Sequence, residues 1–522
     1  MSRFRAPTLL VPDLIARNGH WLAASPALID GTVVLTWRDF AAATAQIANG
    51  LAALDVVPHE RVAVLMDSRL ETVLTLFGII CAGAVAVPLN VSITEPAIAS
   101  MCADAACVAV FASGHHCERV DRLRAAGALQ ARCFIGCAPP IPGWLRFEDF
   151  KAAQSTVPPL VAIAPDDECN LIYSSGTTAT PKGIVHTHEC RMRWAYDAAL
   201  ALRYRSGCRT LCSLGLFSNI SWVTMLTTIL VGGTIVLLRE FGARAVFELI
   251  GTARITHGAF VPVQLERLLA EPERRAYRID SLETLMCCGS RLPPEVKRRV
   301  ASEFGCDLIE LYGLTEGLFT ILQPEDFERK LESVGKPVLG SDLKILGDDD
   351  REVGAGQTGE IVGHARVMMA GYHGQDEANR EASWIDSAGR QWLRTGDIGR
   401  LDAEGFLYIV DRTKDMILSG GQNIYPTDIE TVMREHPAVA EVAVVGVPSE
   451  RWGETPLAAV VLREGHLPTA TELLEWTNAR VGKQQRVSAV VWRASLPRNP
   501  NGKVLKRELR REYAGIERGS VP

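Results

Sequence analysis

Tyr173-Ser174-Ser175-Gly176-Thr177-Thr178-Ala179-Thr180-Pro181-Lys182-Gly183-Ile184 is the stretch that decides how this chain of 522 residues is read. Between Ser174 and Gly183 it holds five hydroxyl side chains, two glycines, one proline and one lysine. The apolar run Leu171-Ile172-Tyr173 leads in, and Ile184-Val185 leads out. Hydroxyls and glycine N–H groups can wrap phosphate oxygens, and a lysine adds a compact charge on a mobile stem. A solvated Ser/Thr turn between two strands is the alternative. The stretch is not the common phosphate loop, because Pro181 stands where that loop needs its second glycine.

Working outward, the chain is long enough for more than one domain and for large buried cores. A net charge of −6, with both signs interspersed, leaves no basic footprint for nucleic acid. Two runs reach membrane-spanning length without a charge: 23 residues from Thr72 to Thr94 and 29 from Thr210 to Leu238. Gly78, Gly83, Pro88 and Asn90 break the first, and Gly215, Asn219 and Gly232-Gly233 break the second. Both are read as buried helix and strand of an α/β core, with no transmembrane segment. Met-Ser-Arg-Phe-Arg-Ala-Pro at the start has no long apolar run, so a secretory signal is not expected and a cytoplasmic location is. The 13 cysteines form no Cys-x-x-Cys, and neither His115-His116-Cys117 nor His186-Thr187-His188-Glu189-Cys190 has a second half at zinc spacing.

Apolar periodicity predicts helices over Phe40–Leu54 and Glu71–Ala82, and strands over Val62–Met66, Val85–Pro88 and Val108–Ala112. Such alternation calls for α/β layers with parallel strands. From 340 to 410 charged Gly-rich turns separate short strands such as Gly359–Val362, which predicts a β-rich subdomain. The charge cluster Asp411-Arg412-Thr413-Lys414-Asp415 marks the domain boundary, giving domains 1–411 and 412–522. The second is a smaller α+β unit, with a helix from about Asp428, strands over Val439–Val447 and Leu457–Leu462, and a basic helix over Lys503–Tyr513.

The order of residues in the opening stretch resembles the phosphate-binding signature of the adenylate-forming superfamily, which includes acyl-CoA synthetases, luciferases and adenylation domains of peptide synthetases. Further matches run in the family's order from about Leu89 to Lys503. The resemblance implies a large N-terminal domain and a mobile C-terminal domain. It also implies two half-reactions: a carboxylate attacks the α-phosphate of ATP to give acyl-adenylate and pyrophosphate, then a thiol attacks the mixed anhydride. Crowded anions call for fixed positive charge, a divalent metal and oriented donors.

On this resemblance Ser174, Ser175, Gly176, Thr177, Thr178 and Lys182 hold the phosphates. In Tyr312-Gly313-Leu314-Thr315-Glu316, Tyr312 stacks on adenine, Thr315 lies by the α-phosphate and Glu316 helps to hold Mg²⁺. Gly289 and Ser290, within Cys288-Gly289-Ser290-Arg291-Leu292-Pro293, cover the other adenine face; Arg291 departs from the family's usual Gly-Ala-Pro. Asp397 of Thr395-Gly396-Asp397 accepts from the ribose hydroxyls, and Arg412 stands with it at the ribose and hinge. Lys503 bridges carboxylate and α-phosphate during adenylation, Lys414 is the hinge, and Gly420-Gly421 border the coenzyme A tunnel.

The acid pocket is assigned to Phe217, Ser218, Asn219, Trp222 and Phe260, with His257 and Met286 as other candidates. Ser218 stands where amino-acid-activating relatives carry an aspartate, so a free α-amine would lack its partner. The mixed aromatic and polar character favours an aryl or short-to-medium acid. The leading expectation is an AMP-forming carboxylic acid:CoA ligase using ATP, Mg²⁺ and coenzyme A. Its alternatives are a stand-alone adenylation enzyme that loads a carrier protein in trans, an oxidative luciferase-like enzyme, and a non-catalytic nucleotide-binding protein on the same fold.

Overall fold

The computed structural model describes residues 8–173, 182–419, 422–449, 452–499 and 502–514. They divide into two compact units. Unit 1 comprises residues 1–331, 337–342 and 364–381, and unit 2 comprises 332–336, 343–363 and 382–522.

Unit 1 is built on two large sheets. In the first, the parallel strands Arg61–Leu65, Val85–Pro88 and Ala109–Ser113 lie side by side, and Glu168–Tyr173 continues the parallel order beyond Val85–Pro88. Gly183–Thr187 then folds back antiparallel on Glu168–Tyr173, and the two-residue strand Gly371–Tyr372 closes that edge. The second sheet runs in the order Leu318–Leu322, Asp307–Leu314, Thr284–Cys287, His257–Phe260, Arg209–Cys212, Thr234–Leu237, Pro26–Asp30, Val33–Thr36. Its six inner strands are parallel, as near-continuous apolar runs require when both faces are covered.

The two uncharged runs resolve as predicted into alternating elements. Thr72–Thr94 supplies most of the helix Leu70–Cys81 and the strand Val85–Pro88, and Thr210–Leu238 supplies strand, helix Asn219–Leu230 and strand. Among the described residues no helix is long and apolar enough to cross a membrane. The helix predicted from Phe40 starts three residues earlier, at Trp37, because Thr36 caps it. The Thr36 hydroxyl accepts from Asp39 N, while Asp39 Oδ2 accepts from Thr36 N.

One continuous core passes from the first sheet (Val62, Phe111) through Phe40, Phe77 and Trp222 to the second (Ile235, Leu237). Its spine is aromatic. Trp37–Phe40, Phe40–Phe77 and Phe77–Trp222 lie 5.4, 6.0 and 6.0 Å apart between ring centroids, none of them stacked face to face. Such pairs add about 0.5–1.5 kcal/mol each beyond the area they bury.

Unit 2 holds most of a five-stranded sheet in which Gln391–Leu401 pairs with Gly359–Ala365, Ser383–Ile385 and Leu407–Arg412. This is the β-rich segment expected between 340 and 410. A second five-stranded sheet pairs Val439–Ser449 with Gly453–Leu462 and adds Ala489–Trp492 in parallel. The predicted basic helix begins at Lys506 rather than Lys503. Lys503 instead ends a turn, where its N–H donates to Asn499 Oδ1 at 2.8 Å and its carbonyl accepts from Asn499 N at 2.9 Å.

Candidate active site

The strands Glu168–Tyr173 and Gly183–Thr187, which flank the signature in sequence, pair antiparallel with Tyr173 opposite Gly183. Ser174, Ser175, Gly176, Thr177 and Thr178 lie outside the described residues, as do Gly420 and Gly421. Lys182 is described, and its ammonium lies 4.6 Å from the centroid of the Tyr372 ring. Antiparallel pairing of Tyr372 with Ile184 puts that ring beside the hairpin. The Tyr372 hydroxyl donates to Glu316 Oε1 at 3.0 Å. Burial, with the Glu316 charge beside it, pushes the phenol above its ordinary value and keeps it protonated.

Thr315 and Glu316 sit in the tight turn between Asp307–Leu314 and Leu318–Leu322. Gly317 completes the turn at φ +118°, and a Cβ there would collide with the backbone of Val367 and Met368. The Glu316 carbonyl accepts from Met369 N at 2.8 Å, and the Thr315 carbonyl from His186 Nε2 at 2.7 Å. Lys182, Thr315, Glu316 and Tyr372 therefore form one cluster. Tyr372 escaped the sequence reading, because only the edge pairing of the sheet brings it to Lys182, and His186 figured there only in a rejected metal motif.

His186 leads to a second hidden residue. Arg191 is fully buried in the helix His188–Ala201. Its Nε donates to Asn170 Oδ1 at 2.8 Å, Nη1 to Asn219 Oδ1 at 2.7 Å, and Nη2 faces His186 Nδ1 at 3.2 Å. An arginine only donates, so His186 Nδ1 is the acceptor and Nε2 carries the proton given to Thr315. Burial and then the Arg191 charge hold the imidazole far below its ordinary pKa, in the neutral form.

Among the residues expected at adenine, Gly289 adopts φ +94°, and a Cβ there would lie 3.3 Å from Val261 Cγ1 and 3.9 Å from Ile220 Cδ1. That contact brings Gly289 and exposed Ser290 next to the start of the helix Asn219–Leu230 and the end of the strand His257–Phe260. The segment is anchored from below: Leu292 N donates to Glu310 Oε1 at 3.0 Å, and Glu310 is paired with Lys297. Both charged side chains are almost fully buried, at 2 % and 1 % exposed. Burial raises the Glu310 pKa, and Lys297 opposes the rise. Tyr312 is half-buried on the adjoining strand, opposite Thr320.

The acid-pocket candidates separate into two groups. Phe217 and Asn219 are half-buried, whereas Ser218, Trp222 and Phe260 are buried. Ser218 is the N-cap of its helix, and its hydroxyl accepts from Ser221 N at 3.3 Å. Trp222 belongs to the aromatic spine, with the Arg191 guanidinium 5.4 Å from its ring centroid. His257 packs against Tyr204 at 4.3 Å between centroids, and Met286 is buried in its strand.

In unit 2, Asp397 and Arg412 stand opposite each other across two strands, with Arg412 Nε 3.0 Å from Asp397 Oδ1. Lys503 is half-buried near them. Burial first, then the positive charges of Arg412 and Lys414, pull its pKa down to about 7, against the opposing pull of Asp397 and Asp415. Arg510 braces the segment after Lys414, donating from Nη2 to the Asp415 carbonyl at 2.7 Å.

Unit 1 thus holds Lys182, Tyr372 and Glu316 in one cluster, and unit 2 holds the Asp397–Arg412 pair. The AMP-binding enzyme family matches residues 18–373, and the AMP-binding enzyme C-terminal domain matches 428–503. A long-chain-fatty-acid–CoA ligase of Mycobacterium tuberculosis is 33% identical over 495 residues, covering 92% of this chain and 94% of its own. A feruloyl-CoA synthase of Amycolatopsis is 33% identical over 501 residues, covering 95% and 98%. The o-succinylbenzoate CoA synthetase of Bacillus subtilis, solved with its acyl-adenylate intermediate, superposes with a TM-score of 0.84 at 28% identity over 98% of this chain and 99% of its own. The chain belongs to the AMP-binding enzyme family of the adenylate-forming superfamily. It is an AMP-forming acid–thiol ligase that uses ATP, Mg²⁺ and coenzyme A.

Proposed function

We propose that Lys182, Thr315 and Glu316 form the phosphate and metal side of the adenylation site, and that the activated acid is aryl or short and branched. The observation that carries the first part is the cluster in which Tyr372 ties Glu316 to Lys182. Glu316 supplies a carboxylate of the kind Mg²⁺ takes, and only its Oε1 accepts a hydrogen bond among the described residues. Bound there, the metal would neutralise phosphate charge. The chain's own residues do the remaining work. Lys182 holds a phosphate oxygen, Tyr312 with Gly289 and Ser290 brackets the adenine, and Asp397 with Arg412 holds the ribose. Lys503, carried by residues 412–522 turning about Lys414 relative to 1–411, offers its ammonium to the carboxylate and α-phosphate and then withdraws for the thiol. Phe217, Asn219 and Phe260 border the acid, with Ser218 and Trp222 supporting them. A cytoplasmic location completes the proposal, supported by 13 thiols of which none is paired.

The test is a panel of benzoate-type, C4–C8 branched and C16 acids with ATP and Mg²⁺, with and without coenzyme A, scored by pyrophosphate and thioester. Pyrophosphate with thioester only when coenzyme A is present is expected, and aryl or short acids should lead. Pyrophosphate without any CoA thioester would favour a carrier-protein acceptor.

A further inference from the structure

Arg191 is a fully buried cation with no ion pair among the described residues. A guanidinium in such a place is costly to desolvate. It is held by three neutral acceptors, Asn170, Asn219 and His186, and by the face of the Trp222 indole. Burial lowers its pKa to about 10, so it remains charged at neutral pH.

Asn219 is the only one of the three acceptors that the sequence places at the acid pocket, and it is half-buried. An amide turned the other way would set N–H against N–H, so Oδ1 must face Arg191. The Nδ2 edge, with its two N–H donors, is the edge left for a ligand. Asn219 is also the first residue of a twelve-residue helix, whose N-terminal end carries partial positive charge. The amide edge, the helix end and the buried guanidinium all have the same sign. Each favours an acceptor oxygen and opposes a protonated amine.

We propose that Arg191 is a positioning residue that locks the Asn219 amide with its donors toward the acid. This pocket then selects carboxylic acids bearing a hydrogen-bond acceptor, such as an ether, keto or phenolic oxygen, and rejects acids bearing an ammonium group. The proposal rests on the placement of the acid pocket at Phe217–Asn219 given above. It adds to the loss of an aspartate at Ser218: amines are turned away by a built arrangement as well as left without a partner.

The experiment measures kcat/KM for pyrophosphate release with ring-substituted benzoates carrying methoxy, ethyl or aminomethyl at each ring position. The wild type should prefer methoxy to its ethyl isostere by roughly tenfold at one position, the worth of one good hydrogen bond, and use aminomethyl least. Asn219→Asp keeps an oxygen for Arg191 and turns a second oxygen toward the ligand, so methoxy should lose its lead and aminomethyl should gain. Arg191→Leu should flatten the methoxy-to-ethyl ratio, and Arg191→Lys, which still donates to Asn219, should restore it. Melting temperatures report whether each variant folds; if Arg191→Leu does not, the Asn219→Asp comparison decides. Equal use of methoxy and ethyl acids at every position by an active wild type would overturn the proposal, as would an unchanged order in a folded Asn219→Asp. Absence of pyrophosphate release with every acid would overturn the parent reading, and this one with it.

Discussion

The Tyr372 hydroxyl donates to Glu316 Oε1 across 3.0 Å, while the face of the same ring lies 4.6 Å from the Lys182 ammonium. One phenol thus sets the spacing between Lys182 and Glu316, the carboxylate proposed for the metal. Burial holds the phenol protonated, so it stays a donor through the working pH range.

That geometry makes the metal requirement testable. Glu316→Gln should raise the Mg²⁺ concentration for half-maximal pyrophosphate release. Tyr372→Phe should raise it less, by about fivefold, as expected for loss of one hydrogen bond of ~1 kcal/mol. Mg²⁺ titrations of both variants check this. Full wild-type activity in excess EDTA without added metal would sink the assignment.

Lys503→Ala should slow adenylation by roughly 10²-fold or more, the scale of removing a donor aimed at developing charge. Thioester formation from supplied acyl-adenylate should be largely spared. Equal damage to both half-reactions would refute a lysine that serves only the first.

The same lysine implies a pH dependence. Its pKa lies at about 7, lowered by burial and then by Arg412 and Lys414. Below that value it is an ammonium, and above it a neutral amine that cannot pair with carboxylate and phosphate. Since kcat/KM reports groups of the free enzyme, kcat/KM for adenylation should fall as pH rises through about 7. The thioester half-reaction should not share that limb. Lys414→Met removes a repelling charge and should move the limb upward. A limb that stays in place would show that another group titrates.

The parts of this site legible in the sequence are those whose function is contiguous. The signature with Lys182, Thr315-Glu316 and Thr395-Gly396-Asp397 are each read from neighbouring residues; Thr315 and Glu316 lie in the turn after Asp307–Leu314, and Thr395-Gly396-Asp397 lies inside the strand Gln391–Leu401. The α/β rhythm was legible for a similar reason, since Val85–Pro88 and Leu70–Cys81 declare themselves by local pattern. Tyr372, Arg191 and the Lys297–Glu310 pair were not legible. Their partners are decided by which strand lies on which edge and which helix covers it, and no local spacing encodes that. Lys503 shows a signal that was present and missed: Pro500 and Gly502 before it disfavour helix, and the Asn499–Lys503 bonds hold it in a turn ahead of the helix that starts at Lys506.

Trp222 is where packing and specificity meet. Its side chain is 0% exposed, it abuts Phe77, and it lies under the guanidinium that orients Asn219. Its Nε1 has no hydrogen-bond partner among the described residues, so the indole contributes volume and a π face rather than a polar contact. Trp222→Ala should therefore cost about 3–5 kcal/mol of stability, the range for hollowing out a buried aromatic. The cavity would open directly behind the residues assigned to the acid, and Arg191 would lose its platform. Acid preference should then shift from aryl and short branched acids toward longer or bulkier ones. Urea unfolding, with kcat/KM for benzoate-type, C4–C8 and C16 acids on wild type and variant, measures both effects. A wild-type preference for C16 would place the acyl chain elsewhere. A variant as stable as wild type would contradict the aromatic spine, and a destabilised variant with an unchanged acid profile would leave Trp222 to the core and the pocket to Phe217, Asn219 and Phe260.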